Sequence, residues 1–112
     1  MGLFAVGDII VIPFPFSDLS QAKARPALVI AVVEKSDLIL LQITSKSYGD
    51  KYSFEINNKD LASGEIRFRS YVKYSKIFTA NKDILTGKIG FLKNDKLNDI
   101  RNKLIELIEG NI

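Results

Sequence analysis

A mainly β fold, a small and strongly bent antiparallel barrel carrying one carboxy-terminal α-helix, is what these 112 residues predict. Three observations carry that prediction. Short runs rich in Val, Ile, Leu and Phe recur between Ile9 and Phe91, each closed by a polar turn, which is the pattern of strands rather than helices. A sustained helical period of apolar residues appears at the far end, through Leu97, Ile100, Leu104, Leu107 and Ile108. The length suits one core and one domain spanning residues 1–112.

The first third organises the rest. Residues 9–16 (IIVIPFPF) and 27–33 (ALVIAVV) read as two strands, and the polar stretch from Ser17 to Ala24 reads as the surface loop between them. Proline lacks an amide hydrogen and fixes φ, so Pro13 and Pro15 require the first strand to become an edge or to leave the sheet near Pro13. Pro26 biases Arg25 towards an extended backbone, which aims the guanidinium from the mouth of the second strand. Such a fixed arginine is suited to holding a phosphate.

Further along, residues 34–37 (EKSD) form a turn and residues 38–43 (LILLQI) pair back as an antiparallel hairpin, apolar enough to be central and buried on both faces. Thr44, Ser45 and Lys46 follow at the strand exit, where hydroxyls commonly bond local backbone. Residues 52–56 (YSFEI) alternate with period two, as a half-exposed strand does. Asp60-Leu61-Ala62 is compatible with a short helical turn before Gly64. From Ile66 the chain reads IRFRSYVKYSKIFT, which as a strand puts Ile66 and Phe68 on one face and Arg67, Arg69 and Tyr71 on the other. That second face is either a solvated surface or a cationic stacking surface for single-stranded nucleic acid. Residues 85–91 (LTGKIGF) form another short strand, and Asn94 or Asp95 caps a helix running to about Glu109, with Gly110 to end it.

Composition excludes much chemistry. With no cysteine and no histidine, the chain has no disulfide, no thiolate or imidazole metal ligand, no cysteine nucleophile and no histidine base. No apolar run approaches the roughly 20 residues that span a bilayer, and MGLFAVGD lacks the features of a secretory signal or a myristoylation site. A cytoplasmic protein without a membrane association is expected. The net charge of +3 is mild and spread along the chain, so a basic surface has to be assembled by folding.

The ordered combination GDIIVIPFPFSDLS, then ARPALVI, and later KIFTANKDILTGKIGFL before a helix, resembles the MazF/PemK family, the toxins of type II toxin–antitoxin pairs. The resemblance runs along nearly the whole chain. It implies an SH3-like or PemK-type barrel, a homodimer, and a metal-independent, sequence-selective endoribonuclease with no cofactor. Such enzymes cut single-stranded RNA to 2′,3′-cyclic phosphate and 5′-hydroxyl ends. It also implies a cognate antitoxin, acidic and partly disordered, and DNA contact through the antitoxin complex.

Carried onto this sequence, the family's functional arginine before the proline is Arg25 and its threonine at the end of the third strand is Thr44. The resemblance thus implies Arg25 in phosphate stabilisation and proton transfer, and Thr44 as a hydrogen-bond partner of the scissile phosphate. Ser17, Asp18, Gln21, Lys23, Ser45, Lys46, Arg67, Arg69 and Lys73 are the accompanying RNA-binding candidates. Cleavage of RNA needs a proton acceptor for the 2′-hydroxyl, a cation for the phosphorane and help for the leaving oxygen. Arginine suits the second need but is a poor base in water, so the residues alone leave the base unidentified. The chain departs from the family where relatives often carry Arg-x-Asp. Here Lys73-Tyr74-Ser75 keeps the positive charge but loses the bidentate fork and the carboxylate. A catalytically weak or inactive PemK-like module that binds nucleic acid or peptide is the alternative this departure raises.

Overall fold

The computed structural model describes residues 4–15, 22–46 and 51–111, with the backbone alone at 14, 15, 22 and 23. Seven strands follow in chain order: β1 (Asp8–Pro15), β2 (Ala22–Val33), β3 (Asp37–Thr44), β4 (Ser53–Ile56), β5 (Leu61–Gly64), β6 (Ser70–Asn81) and β7 (Gly87–Leu92). They form one sheet in the order β4-β6-β3-β2-β1-β7-β5, every pairing antiparallel, curled into a half-barrel. Helix α1 (Asn94–Ile108) closes the chain.

Why the sheet curls is visible in its two cores. One apolar cluster packs Ile9, Leu28, Leu41, Ile43 and Val72 against Leu97, Ile100 and Leu104 of α1. A second, on the opposite face, gathers Ile10, Ile12, Ala27, Val29, Leu38 and Leu40. The central strands therefore bury both faces, as their continuous apolar runs require. Each fully buried aliphatic side chain contributes about 1.5–3 kcal/mol of transfer free energy. As expected for a central strand, β3 lies between β2 and β6 and feeds both clusters.

The prolines act as anticipated. β1 pairs with β7 only from Asp8 to Val11, whereas its pairing with β2 continues to Pro15. Pro13 and Pro15 therefore lie where β1 has become an edge, and their missing amides cost no ladder bond on the open side. On the other strand the structure corrects the sequence reading. β2 begins at Ala22, five residues before the apolar run, so Arg25 stands within the strand opposite Ile12 rather than at its mouth. Ladder bonds belong to the backbone, and polar side chains do not stop them.

Two further differences follow from local chemistry. Asn57 accepts from the Lys59 amide at 3.1 Å while Asp60 accepts from the Asn57 amide at 3.0 Å, closing a capping box around a 3-10 turn at Asn58–Asp60. The chain leaves that turn extended, so residues 61–64 form a seventh strand instead of a helical turn. Gly64, at φ +82°, then lies so close to β7 that a Cβ there would meet the Ile89 carbonyl oxygen at 2.1 Å. The other difference is the start of β6 at Ser70, which leaves residues 65–69 irregular and takes Arg67 and Arg69 off the strand.

Helix α1 starts one residue earlier than a capping Asn94 would have it. Lys93 is the N-cap, without a side-chain cap bond, and its amide instead donates to the Asp60 carbonyl at 2.9 Å. Gly110 takes φ +79° after the last turn, the left-handed conformation that ends helices. Leu97, Ile100 and Leu104 are buried as the periodicity predicts and Leu107 packs against the same cluster, but Ile108 is 69% exposed.

Candidate functional site

Arg25 and Thr44 come from different, neighbouring strands and line one cleft. Ala27 of β2 stands opposite Gln42 of β3, the last pair of that ladder; Arg25 and Thr44 follow two residues further along their strands. Directly opposed residues of an antiparallel pair project to the same face. The register then continues from Thr44 to Tyr71 of β6 and from Tyr71 to Glu55 of β4. The neighbouring row carries Gln42, Lys73 and Ser53. Lys73 therefore lies one row from Thr44 on the same sheet face, half-buried.

Thr44 is buried, and its hydroxyl oxygen accepts the Lys46 amide at 3.2 Å. The local role anticipated for a hydroxyl at a strand exit is thus present, and it fixes the Oγ1 orientation. The same residue also lines a cleft of about 380 Å³ together with Arg25, Ser45 and Arg67. Volumes in this range accommodate small ligands. Four of the sequence-predicted residues are brought together there: Arg25, Thr44, Ser45 and Arg67.

The far wall of the cleft is the irregular segment before β6. Glu65, Ile66, Phe68 and Ser70 line it, with Ile89 of β7 beneath. Sequence reading missed this wall because the alternation of IRFRS imitates a strand with Ile66 and Phe68 facing inward. Ile66 is indeed buried, at 7% exposed, while Phe68 is 62% exposed. The one signal available was the RFR triplet, an aromatic between two arginines. Two guanidinium groups and one carboxylate line the cleft among the described residues, an arrangement that suits an anion beside a proton acceptor.

Other candidates are dispersed. Arg69 turns away to Glu55, with Nε 3.3 Å from Oε2, an exposed pair worth about 0–1 kcal/mol. Lys46 is exposed just beyond Thr44. Ser17, Asp18 and Gln21 lie outside the described residues, and Lys23 is described by its backbone only, opposite Phe14 in the β1–β2 ladder. Among the described residues no cluster of three or more acidic side chains is placed to hold a metal ion. No helix among them is long and apolar enough to cross a membrane.

Several solved structures share this architecture. An endoribonuclease in complex with its cognate antitoxin, from Mycobacterial species, matches with a TM-score of 0.75 at 16% identity, over 96% of this chain and 96% of that one. An endoribonuclease from Mycobacterial species matches at 0.72 and 16% identity, over 95% of this chain and 91% of that one. The MazE-MazF structure from Deinococcus radiodurans matches at 0.68 and 17% identity, over 95% of each chain. At such identities the likeness speaks for the fold. A search of curated proteins finds no significant sequence match. The family question is settled by sequence, because the model of the PemK-like, MazF-like toxins of type II toxin–antitoxin systems matches residues 5–108. With the half-barrel and the match over nearly its whole length, the chain belongs to that toxin family.

Proposed function

We propose that the protein is a ribosome-independent endoribonuclease toxin that cuts single-stranded RNA at selected sequences, without a metal ion, leaving 2′,3′-cyclic phosphate and 5′-hydroxyl ends. One observation carries the reading: Arg25 and Thr44, from separate strands, line one cleft with Ser45 and Arg67. The scissile phosphate binds there. Arg25 pairs with the phosphorane oxygens as charge develops, and Thr44 hydrogen-bonds the same group. The 2′-hydroxyl gives up its proton as its oxygen bonds to phosphorus. The bond from phosphorus to the 5′-oxygen then breaks, and that oxygen takes up a proton with Arg25 as donor. Glu65 is the carboxylate in the cleft wall and receives the 2′-proton. Lys46, Lys73, Arg69 and Lys23, with Ser17, Asp18 and Gln21 from the stretch between β1 and β2, track the flanking RNA.

The same reading includes regulation and assembly. A cognate antitoxin, an acidic and partly disordered chain that folds on binding, complements the toxin's net charge of +3. DNA is contacted only through that complex, in the cytoplasm. A homodimer is supported by a second cleft of about 380 Å³, lined by Ile12, Pro13, Phe78 and Ala80, beside which Ile77 and Ile84 remain exposed.

The test is to incubate the purified protein, in EDTA, with a long structure-poor transcript and to map new ends. Discrete cuts with 5′-hydroxyl and cyclic-phosphate termini, absent with Arg25→Ala, are the expected result. Cleavage by Arg25→Ala at the wild-type rate overturns the assignment. RNA that is shifted on a gel but stays intact supports the second reading, a binding module without catalysis. That reading is motivated by Lys73, which occupies the row beside Thr44 without the fork of an arginine.

A further inference from the structure

Phe68 is the one exposed phenylalanine among the described residues, and it sits in the wall of the cleft that holds Arg25 and Thr44. Leaving a phenyl ring in water forgoes the transfer free energy that its burial would supply, and a ring exposed in the wall of a cleft is placed to regain it from an occupant. Phe68 is fixed. On one side Ile66 is buried and its amide donates to the Asn58 side-chain oxygen at 2.7 Å. On the other the buried Ser70 hydroxyl donates to the carbonyl oxygen of Phe68 itself at 2.9 Å. The backbone is thus pinned two residues before and two residues after the ring. Arg67, next in sequence, lines the same cleft.

We infer that Phe68 is a stacking platform for the base adjacent to the scissile phosphate, so that the cleft has a phosphate subsite at Arg25 and Thr44 and a base subsite at Phe68. The inference rests on the RNA reading given above. A ring has no hydrogen-bonding groups, so this subsite holds any base by its π-face and leaves sequence choice to polar groups elsewhere. Because the segment is pinned before ligand arrives, little ordering is lost on stacking. Arg67 brings a cation to the same wall, where a phosphate flanking the stacked base would lie.

The experiment uses a fluorescein-labelled, mixed-sequence 12-nucleotide RNA with 2′-O-methyl groups, which cannot be cleaved by 2′-oxygen attack. Its affinity is read by anisotropy for wild type, Phe68→Ala, Phe68→Leu and Phe68→Tyr, with melting temperature as a check of folding. Ala and Leu should weaken binding by roughly 5- to 150-fold, while Tyr, which keeps the π-face, should stay within about threefold of wild type. On cleavable RNA the same loss should fall mainly on KM. Leu matching wild type would overturn the stacking role, since an apolar contact alone would then suffice. Ala that binds RNA normally but escapes inhibition by the antitoxin would also overturn it, by assigning the ring to the protein interface. Arg25→Ala separates the two levels. If Arg25→Ala abolishes cleavage and Phe68→Ala binds normally, the base subsite alone falls. If wild type does not bind RNA, both fall.

Discussion

Lys88 Nζ lies 3.1 Å from Oδ2 of Asp8, a carboxylate 3% exposed, and this contact ties the start of β1 to β7. The same oxygen accepts the Ala5 amide at 2.8 Å, so one buried carboxylate anchors both the chain entry and the neighbouring strand. Gly7 just before it has φ +101°, a conformation that lets the chain turn into β1. Removing the carboxylate leaves the Ala5 amide and the Lys88 ammonium without this partner. Asp8→Ala should lower stability by about 1–3 kcal/mol, and Asp8→Ala with Lys88→Ala should cost less than the sum of the two single changes. Urea unfolding of all four proteins measures that coupling, and strict additivity would show the pair to be idle.

Gly64 and Gly90 face each other where β5 and β7 approach closely. A Cβ on Gly64 would meet backbone atoms of Ile89 and Gly90 at 2.1 and 2.4 Å, and one on Gly90 would meet the Ser63 oxygen at 2.5 Å. Either alanine should cost more than about 2 kcal/mol by forcing β5 from β7. Gly87→Ala is the control, since nothing lies within 4 Å of its Cβ position, and it should change stability by less than about 0.5 kcal/mol. Equal melting temperatures for the three variants would refute this account of the β5–β7 contact.

Arg25→Ala and Thr44→Val probe the phosphate subsite. Arg25→Ala should reduce RNA cleavage by about 10²–10³-fold or more, with the fold kept. Arg25→Lys should restore little, because an ammonium is a point charge without the bidentate fork. Thr44→Val, which removes the hydroxyl that accepts the Lys46 amide, should in addition lose about 0.5–1.5 kcal/mol of stability. Single-turnover rates beside melting curves separate the two effects.

Glu65→Gln keeps shape and removes the proton acceptor. A fall in kcat of about 10²-fold with little change in KM is expected. Unchanged kcat would transfer the base role to another group.

Phosphate contacts release counterions, so RNA affinity should fall linearly on a log–log plot against salt. Lys46→Ala should shallow that slope by about one unit, uniformly across RNA sequences. A slope independent of Lys46 would remove it from the interface.

Much of this was legible in the chain itself. IIVIPFPF, ALVIAVV and LILLQI declared adjacent strands because their β-branched and aliphatic residues leave no polar face. Their prolines announced the edge of β1. Leu97, Ile100 and Leu104 declared the packed face of α1 by period alone. The ordered motif singled out Arg25 and Thr44, and both line one cleft. What escaped was the segment from Glu65 to Arg69, where an apolar–polar alternation imitates a strand although the backbone takes up pairing only at Ser70. Residues 61–64 escaped too, since a capping box at Asn57 and Asp60 ended the turn two residues earlier than composition suggested.

By itself, then, the sequence determined the strand-forming runs, the helix, the absence of thiol and imidazole chemistry, and the family. These depend on side-chain type and on periods of two and 3.6 residues, which are local. The tertiary structure alone decided that Thr44 lines one cleft with Arg25, that Arg67 joins them while Arg69 turns to Glu55, and that Phe68 is exposed at the same cleft. Those relations arise from register between strands far apart in sequence and from where the ladder starts. A one-residue shift of either would send every side chain to the opposite face.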